Sequence, residues 1–104
     1  MIRVSVMYPH KDGARFDHKY YAEKHMAIVR NGMGNLVKKI EVDQGVAGGA
    51  PGAPAPFVSM GHLYFDSIED YQSAMAKGGA AAMADLPNFT DIQPQIQVAE
   101  LKEV

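Results

Sequence analysis

Apolar and polar residues alternate strictly at the start of the chain and predict a half-buried β-strand. The even positions are aliphatic and are expected to face the core: Ile2, Val4 and Val6. Successive side chains of a strand point to opposite faces, so a period of two is typical of a sheet with one covered face. Pro9 has no backbone N–H to donate, and the strand is expected to end there.

The next pattern has helical spacing and predicts a helix that begins at residue 18. Asp17 is a good N-cap, and Phe16 before it is placed to pack against Tyr21. At ~100° per residue, Tyr21 and His25 fall within one apolar stripe, and the charged side chains fall opposite. The helix therefore carries a histidine on its buried face, and it is expected to end at the glycine-containing residues 31–34.

Three further strands are expected downstream. The segment 35–42 is weakly amphipathic, which favours an edge strand, whereas 57–65 carries large apolar groups on both faces and is expected in the centre of the sheet. The last strand is expected over residues 93–104. Its apolar residues change from even to odd positions, which indicates a β-bulge.

A second helix is predicted after the central strand. Ser67 and Asp70 have the Ser-x-x-Asp form of a capping box, and apolar residues follow at helical spacing. Gly78 and Gly79 are expected to interrupt this helix, because glycine is a poor helix former. An alanine-rich turn is expected to follow, and Pro87 to end it.

Small residues fill the stretch 43–56, which is rich in glycine, alanine and proline. Such a stretch cannot form a core and predicts an exposed hairpin tip, either mobile or packed on a neighbouring subunit. A phosphate-binding loop is excluded, because neither Lys-Ser/Thr nor a helix start follows the glycines.

The order strand, helix, strand, strand, helix, strand predicts an α+β fold of the ferredoxin-like βαββαβ type, with both helices on one face of an antiparallel sheet. At 104 residues the chain is expected to form one domain. The central strand places Met60, His62 and Tyr64 on the face opposite Phe57, Leu63 and Phe65. Whichever face the helices cover, the other keeps apolar groups, and the pairing of two copies face to face would bury them.

Composition narrows the function classes. The chain is 47% hydrophobic and carries a formal charge of −2 without runs of like charge, which argues against nucleic-acid and membrane-surface partners. The absence of cysteine excludes disulfides, thiolate nucleophiles and cysteine-based metal sites. No apolar run suits a signal peptide or a membrane span, so a cytoplasmic protein is expected.

His25 is the main candidate for chemistry. Imidazole is suited to proton transfer near neutral pH, and Tyr21 one turn earlier adds a phenol to the same apolar wall, as in a small-molecule pocket. The competing interpretation is a structural histidine that hydrogen-bonds a tyrosine or a backbone carbonyl beneath the sheet. The pattern alone leaves both interpretations open.

Other polar residues are weaker candidates. His18 and His25 are about two turns apart, ~10 Å of rise, and no carboxylate has ligand spacing, so no metal site is expected. His62 can face either the helices or the uncovered side of the sheet.

Asn88 and Asp91 fit an Asx turn or helix stop, or a loop that orients His25 or a ligand. No serine lies on a Gly-x-Ser-x-Gly turn, which excludes the common serine nucleophile.

Three motifs spread over nearly the whole chain carry a family resemblance. They are Tyr8-Pro9 at the end of the first strand, Phe16-Asp17-x-x-Tyr20-Tyr21-x-x-x-His25, and Pro87-Asn88-Phe89-Thr90-Asp91 before the last strand. In these residues the chain resembles the EthD-like family of the dimeric α/β-barrel superfamily. The resemblance implies a ferredoxin-like protomer that pairs with a second copy into a barrel, with a pocket between sheet and helices.

The resemblance also implies functional positions. His25 matches the family's histidine, and four residues match the accompanying positions: Tyr20, Tyr21, Asn88 and Asp91. Family members include proteins encoded beside ether-degrading oxygenase systems, some named reductases, and fungal relatives linked to dehydration or decarboxylation of polyketides. The chain has no Gly-x-Gly-x-x-Gly nicotinamide fingerprint, so no cofactor is expected. Members differ over the loop 45–56, which leaves the pocket size open.

Competing functions follow from this pattern. The first is a cofactor-independent enzyme, a lyase or oxidoreductase-associated protein, that transfers a proton on a small apolar, oxygen-bearing molecule, with His25 as acid/base and Tyr21 beside it. Ligand contacts are expected from Tyr8, Tyr20, His62, Asn88 and Asp91. The second is a non-catalytic accessory or ligand-binding protein of an oxygenase or ether/aromatic degradation pathway. The third is a structural dimer whose pocket is packed shut.

Overall fold

The computed structural model describes residues 1–104, and its elements occur in the predicted order. Four strands form one sheet: β1 (Ile2–Pro9), β2 (Lys39–Val42), β3 (Phe57–Phe65) and β4 (Gln95–Glu100). β2 begins later than predicted, because residues 34–36 form a 3-10 turn instead of extended chain. The strand that the sequence placed at 93–104 is limited to its central part.

Two helical segments connect the strands. The first, α1, covers residues 18–33 without a break and combines α-helical His18–Tyr20, π-helical Tyr21–His25 and α-helical Met26–Met33. The second, α2, is the α-helix Ile68–Ala84, and the 3-10 turn Leu86–Asn88 follows it. Neither is long and apolar enough to cross a lipid bilayer.

The sheet is antiparallel throughout, with the strand order β2-β3-β1-β4. This order, with one helix after β1 and one after β3, confirms the α+β ferredoxin-like class. β2 lies at an edge and β3 in the interior, as their apolar patterns predicted. The long hairpin between them continues past β2, where Gly45 N–H donates to Val58 O at 2.9 Å.

The core lies between one face of the sheet and the two helices. The inward residues of β1 and β3 meet the apolar stripes of both helices, and the hydrophobic members of this core are Ile2, Val4, Tyr8, Tyr21, Met26, Val29, Met33, Leu63, Phe65, Ala74, Phe89 and Ile92. Ser5, Met7, Met60, His62 and Tyr64 point to the opposite face, which no element of the chain covers. One face is therefore a core and the other a half-buried mixed surface.

The predicted interruption of the second helix at Gly78 and Gly79 is wrong, since α2 runs through both residues. Gly78 lies directly against Gly32 of α1, and a Cβ added to Gly78 would lie 2.6 Å from the carbonyl carbon of Gly32. The pair lets the two helix backbones approach closely, so the cost of glycine within a helix is offset by packing. Gly78 is therefore a contact point between the two helices and not a helix break.

The predicted bulge in the last strand is also wrong. β1 and β4 pair without a register shift from Ile2 opposite Glu100 to Met7 opposite Gln95. Leu101 lies beyond the strand, where its N–H donates to Met1 O at 3.0 Å. Of the odd apolar positions, Ala99 pairs with Arg3 on the other face of β4 and Leu101 lies beyond the strand, so neither marks an inserted residue.

Candidate functional site

The start of α1 positions the residues that the sequence singled out. Asp17 caps the helix by accepting from Tyr20 N–H at 3.0 Å, and the Phe16 ring packs on Tyr21 with 5.1 Å between centroids. At the end of the π-helical turn, Met26 N–H donates to Tyr21 O. Within this wider turn the Tyr21 and His25 rings stack at 5.5 Å with 17° between their planes. A π-turn of this kind is frequent at functional sites.

His25 is held by a buried carboxylate. Asp85, which follows α2, accepts from His25 Nδ1 at 2.9 Å, and both side chains are about 95% buried. An ionised carboxylate only accepts hydrogen bonds, so Nδ1 carries the proton of this bond. No protein group hydrogen-bonds Nε2. The pair therefore fixes the ring with Nε2 free of protein partners, so that this nitrogen is the one able to exchange a proton with a ligand.

Two further donors complete the surroundings of Asp85. Tyr20 Oη donates to Asp85 Oδ1 at 2.7 Å, and Asn88 Nδ2 donates to the same oxygen at 2.9 Å. Burial by itself raises the pKa of Asp85, but the bonds from Asn88, Tyr20 and His25 together hold that pKa below its ordinary value. Asp85 is thus an ionised acceptor that fixes the orientation of His25.

A cavity of about 60 Å³ lies beside His25, between the sheet and both helices. Fourteen of its 18 lining residues are hydrophobic, and its polar lining groups are His25 and the tyrosines Tyr8, Tyr21 and Tyr71. No lysine, arginine, aspartate or glutamate lines it. An apolar wall with a few polar groups is the usual form of a small-molecule site.

The cavity is not sealed on all sides. Met83 and Ile96 line it, and they remain 46% and 47% exposed. Val98, on the same face of β4 as Ile96, is 41% exposed. The opening therefore lies between the C-terminal part of α2 and β4, and its rim is apolar.

Two phenols stand on the wall formed by β1 and α1. The rings of Tyr8 and Tyr21 are 5.5 Å apart, and Tyr21 Oη lies against Gly61 of β3, where any Cβ would collide with it. Tyr21 Oη is fully buried and makes no hydrogen bond of normal geometry, and its polar neighbour within the protein is the phenol of Tyr8. Burial raises the pKa of Tyr8 to about 12 and that of Tyr21 further still, so both phenols stay protonated donors at neutral pH.

The structure separates the predicted site residues into three groups. His25, Tyr21 and Tyr8 line the cavity, whereas Tyr20 and Asn88 reach it only through Asp85. Asp91 accepts from Arg15 N–H at 3.0 Å and ties the entry of α1 to the chain before β4. His62 points to the uncovered sheet face, where Ser5 Oγ lies 2.7 Å from its Nδ1. Neither Asp91 nor His62 lines the cavity.

Asp85 was missed by the sequence reasoning, although Asn88 was not. The available signal was the spacing of the two residues, because a carboxylate and an amide three positions apart at a helix end can share one turn. That signal did not point to His25, which lies 60 residues earlier. Elsewhere, no three histidine, aspartate or glutamate side chains come together in a metal-binding arrangement.

Comparison with known proteins decides the family. The model of the EthD domain matches residues 13–93. The chain belongs to the EthD family. No curated protein matches the sequence.

Solved structures of other proteins agree with the fold. An EthD-like protein from Ralstonia eutropha JMP134 is 44% identical, with a TM-score of 0.90 over 95% of this chain and 89% of that one. An ethyl tert-butyl ether D (EthD) family protein from Bacillus halodurans C-125 is 21% identical, with a TM-score of 0.75 over 98% and 99%. A dimeric ferredoxin-like protein of unknown function from Thermobifida fusca YX is 13% identical, with a TM-score of 0.61 over 96% and 90%. The last two show a shared fold alone.

Proposed function

We propose that this EthD-family protein binds a small apolar, oxygen-bearing molecule between α1 and the sheet and transfers a proton on it without a cofactor. Dehydration, decarboxylation and related steps need a base that accepts a proton and an acid that returns it. His25 is assigned that role, with Tyr21 and Tyr8 as donors to the ligand's oxygen. Tyr20 and Asn88 act on the site through Asp85.

The observation that carries this proposal is the bond from His25 Nδ1 to Asp85 Oδ2. A structural histidine needs partners for its polar atoms, whereas this one leaves Nε2 without any protein partner beside an apolar cavity. A buried carboxylate behind an imidazole also stabilises the imidazolium that forms when Nε2 takes up a proton. These features favour an acid/base over a packing role.

A non-catalytic binding protein is the second candidate, and the cavity wall favours it. Four methionines line the cavity: Met26, Met33, Met75 and Met83. Methionine adapts its shape to different apolar partners, so such a wall suits a carrier or accessory protein of an oxygenase or ether/aromatic degradation pathway. In that case His25 would hold the ligand without converting it.

We also propose that two copies pair through the uncovered sheet face. The face carries Met7 and Met60 side by side in the register of β1 and β3, next to the polar pair Ser5 and His62. Apolar groups of this kind are commonly buried by a second copy of the same surface. The Thermobifida fusca relative is described as dimeric, which supports this arrangement.

Binding and conversion can be separated in one experiment. A panel of small uncharged ketones, alcohols and phenols is screened by ligand-observed NMR, and bound compounds are then followed for conversion. We expect His25→Gln to keep binding and to abolish conversion, while the exposed His10→Gln keeps both. Binding by the wild type without conversion favours the second candidate, and the absence of any binding contradicts both.

A further inference from the structure

Tyr21 carries a hydroxyl that costs the fold free energy. A buried hydroxyl without a partner loses its hydrogen bonds to water and gains none in return, and this chain keeps one at the cavity wall. Gly61 provides the space for it, since any side chain there would collide with Tyr21 Oη. A phenylalanine would fill the same place without the penalty. The hydroxyl is therefore a donor for a group that the polypeptide does not supply.

The lining of the cavity determines the charge of that group. No basic side chain lines the cavity, so a carboxylate or phosphate would be buried there without a counter-ion. The two neighbouring phenols are protonated, and even if one donates to the other, the pair keeps a donor that needs an acceptor. A carbonyl oxygen has two lone pairs and no hydrogen to place. An uncharged carbonyl compound fits these requirements.

The volume sets the size of the enclosed part. A cavity of roughly 150 Å³ holds benzene, whereas this one measures about 60 Å³. Only a few non-hydrogen atoms fit inside, about the size of an acetyl group. Anything larger must leave through the opening along Met83, Ile96 and Val98, whose exposed apolar surface suits a hydrocarbon chain.

We propose that the cavity binds the carbonyl end of an uncharged ketone or aldehyde, with its oxygen on the phenols of Tyr8 and Tyr21, and that His25 removes a proton from the adjacent carbon. This inference rests on the proposed function and names its substrate class. The hydrocarbon remainder of the molecule lies along the rim formed by Met83, Ile96 and Val98.

The step needs no further reactant. The C–H bond next to the carbonyl breaks, its proton forms a bond to His25 Nε2, and its electron pair moves to the carbonyl oxygen as an enolate. The phenols of Tyr8 and Tyr21 stabilise the charge on that oxygen, and Asp85 stabilises the imidazolium. Return of the proton to carbon or to oxygen regenerates neutral His25 and gives the ketone or its enol.

Exchange of hydrogen for deuterium tests this step without knowledge of the natural substrate. Acetone, 2-butanone, 2-hexanone and 2-octanone are incubated with the protein in D₂O, and loss of the proton signals beside the carbonyl is followed by NMR. We expect exchange catalysed by the wild type, with kcat/KM rising along the series as more chain contacts the rim. We expect Tyr21→Phe to reduce kcat by about 100-fold, as for loss of one oxyanion donor, and His25→Gln to abolish the catalysed exchange.

Controls make each outcome informative. Tyr64→Phe removes a phenol from the opposite sheet face and is expected to exchange at the wild-type rate. Hexanoate, an anion of similar length, is expected not to compete. Bound ketones without exchange, or an unchanged rate in Tyr21→Phe, overturn this inference while leaving the proposed binding intact. Competition by hexanoate overturns the assignment of an uncharged substrate. If other uncharged compounds bind but no ketone does, the assignment of a ketone or aldehyde is overturned.

Discussion

Asp85 joins three residues that the sequence offered as separate candidates. Tyr20, His25 and Asn88 each donate to its carboxylate, so their side chains act as one unit. The sequence could rank the donors because they lie in recognisable local patterns, a capped helix and a turn after a helix. The sequence could not identify Asp85 as their acceptor, because the contact between Asp85 and His25 depends on the packing of α1 against the end of α2.

The charge of Asp85 is expected to appear in the pH dependence of stability. Its folded-state pKa lies below its ordinary value of 3.8, so the unfolded state binds the proton more readily. The contribution to stability is full above that ordinary value and is lost as the pH falls through the lowered folded-state pKa. We expect the free energy of unfolding to fall less steeply below about pH 4 in Asp85→Asn than in the wild type, measured by urea denaturation. Parallel curves would contradict this role for the carboxylate.

Substitution by phenylalanine is expected to change the free energy of unfolding in opposite directions at the neighbouring residues Tyr20 and Tyr21. Tyr21→Phe removes a buried hydroxyl without a partner and should raise the free energy of unfolding by about 1 kcal/mol. Tyr20→Phe removes the donor to Asp85 and should lower it. Urea denaturation of both variants measures the difference. A destabilised Tyr21→Phe would show that its hydroxyl has a partner within the protein.

At the scale of elements, the capped start of α1, the capping box of α2 and the order of strands were all predictable from local residues. The π-helical turn was not, because a constant angle per residue assumes an α-helix throughout. This turn stacks Tyr21 on His25, a contact that the angles alone described only as sharing a face. Gly78 was misread for a similar reason, since its role depends on Gly32 of the other helix.

Because the two helices lie so close together, substitution of the adjacent glycines Gly78 and Gly79 of α2 by alanine is expected to change stability differently. A Cβ at Gly78 meets the backbone of Gly32, which cannot move aside, whereas a Cβ at Gly79 meets the flexible end of Met75. We expect Gly78→Ala to lower the free energy of unfolding by about 2 kcal/mol, because overpacking outweighs the better helix propensity of alanine. Gly79→Ala should leave stability unchanged or raise it slightly. Equal effects in denaturation experiments would contradict the backbone contact.

For the whole molecule, the apolar pattern predicted the ferredoxin-like fold and a face that the helices leave open. It left undecided which face of β3 would be covered. The structure places Leu63 and Phe65 under the helices and leaves Met60, His62 and Tyr64 outside. Pairing of two copies follows from this surface only as a proposal, because a single chain contains no second sheet.

The proposed pairing is testable by a charge at the centre of the open face. Met60→Glu is expected to give a particle of 11.3 kDa where the wild type gives twice that mass, measured by analytical ultracentrifugation. Burying an unpaired carboxylate between two sheets costs several kcal/mol, which opposes association. Ala81→Glu, on the exposed side of α2, should keep the wild-type mass. A wild type that sediments at 11.3 kDa contradicts the dimer directly.

The pairing of β1 with β3 and β4 has a consequence for synthesis on the ribosome. β1 is made before both of its neighbours, which are residues 57–65 and 95–100. His25 likewise waits for Asp85, 60 residues later. A nascent chain that ends before residue 57 thus exposes an unpaired apolar strand and a histidine without its acceptor, and unpaired apolar strands of this kind are prone to aggregate. The His25–Asp85 pair is completed only after residue 85 has left the exit tunnel, so the proposed exchange of ketone protons would report a finished fold.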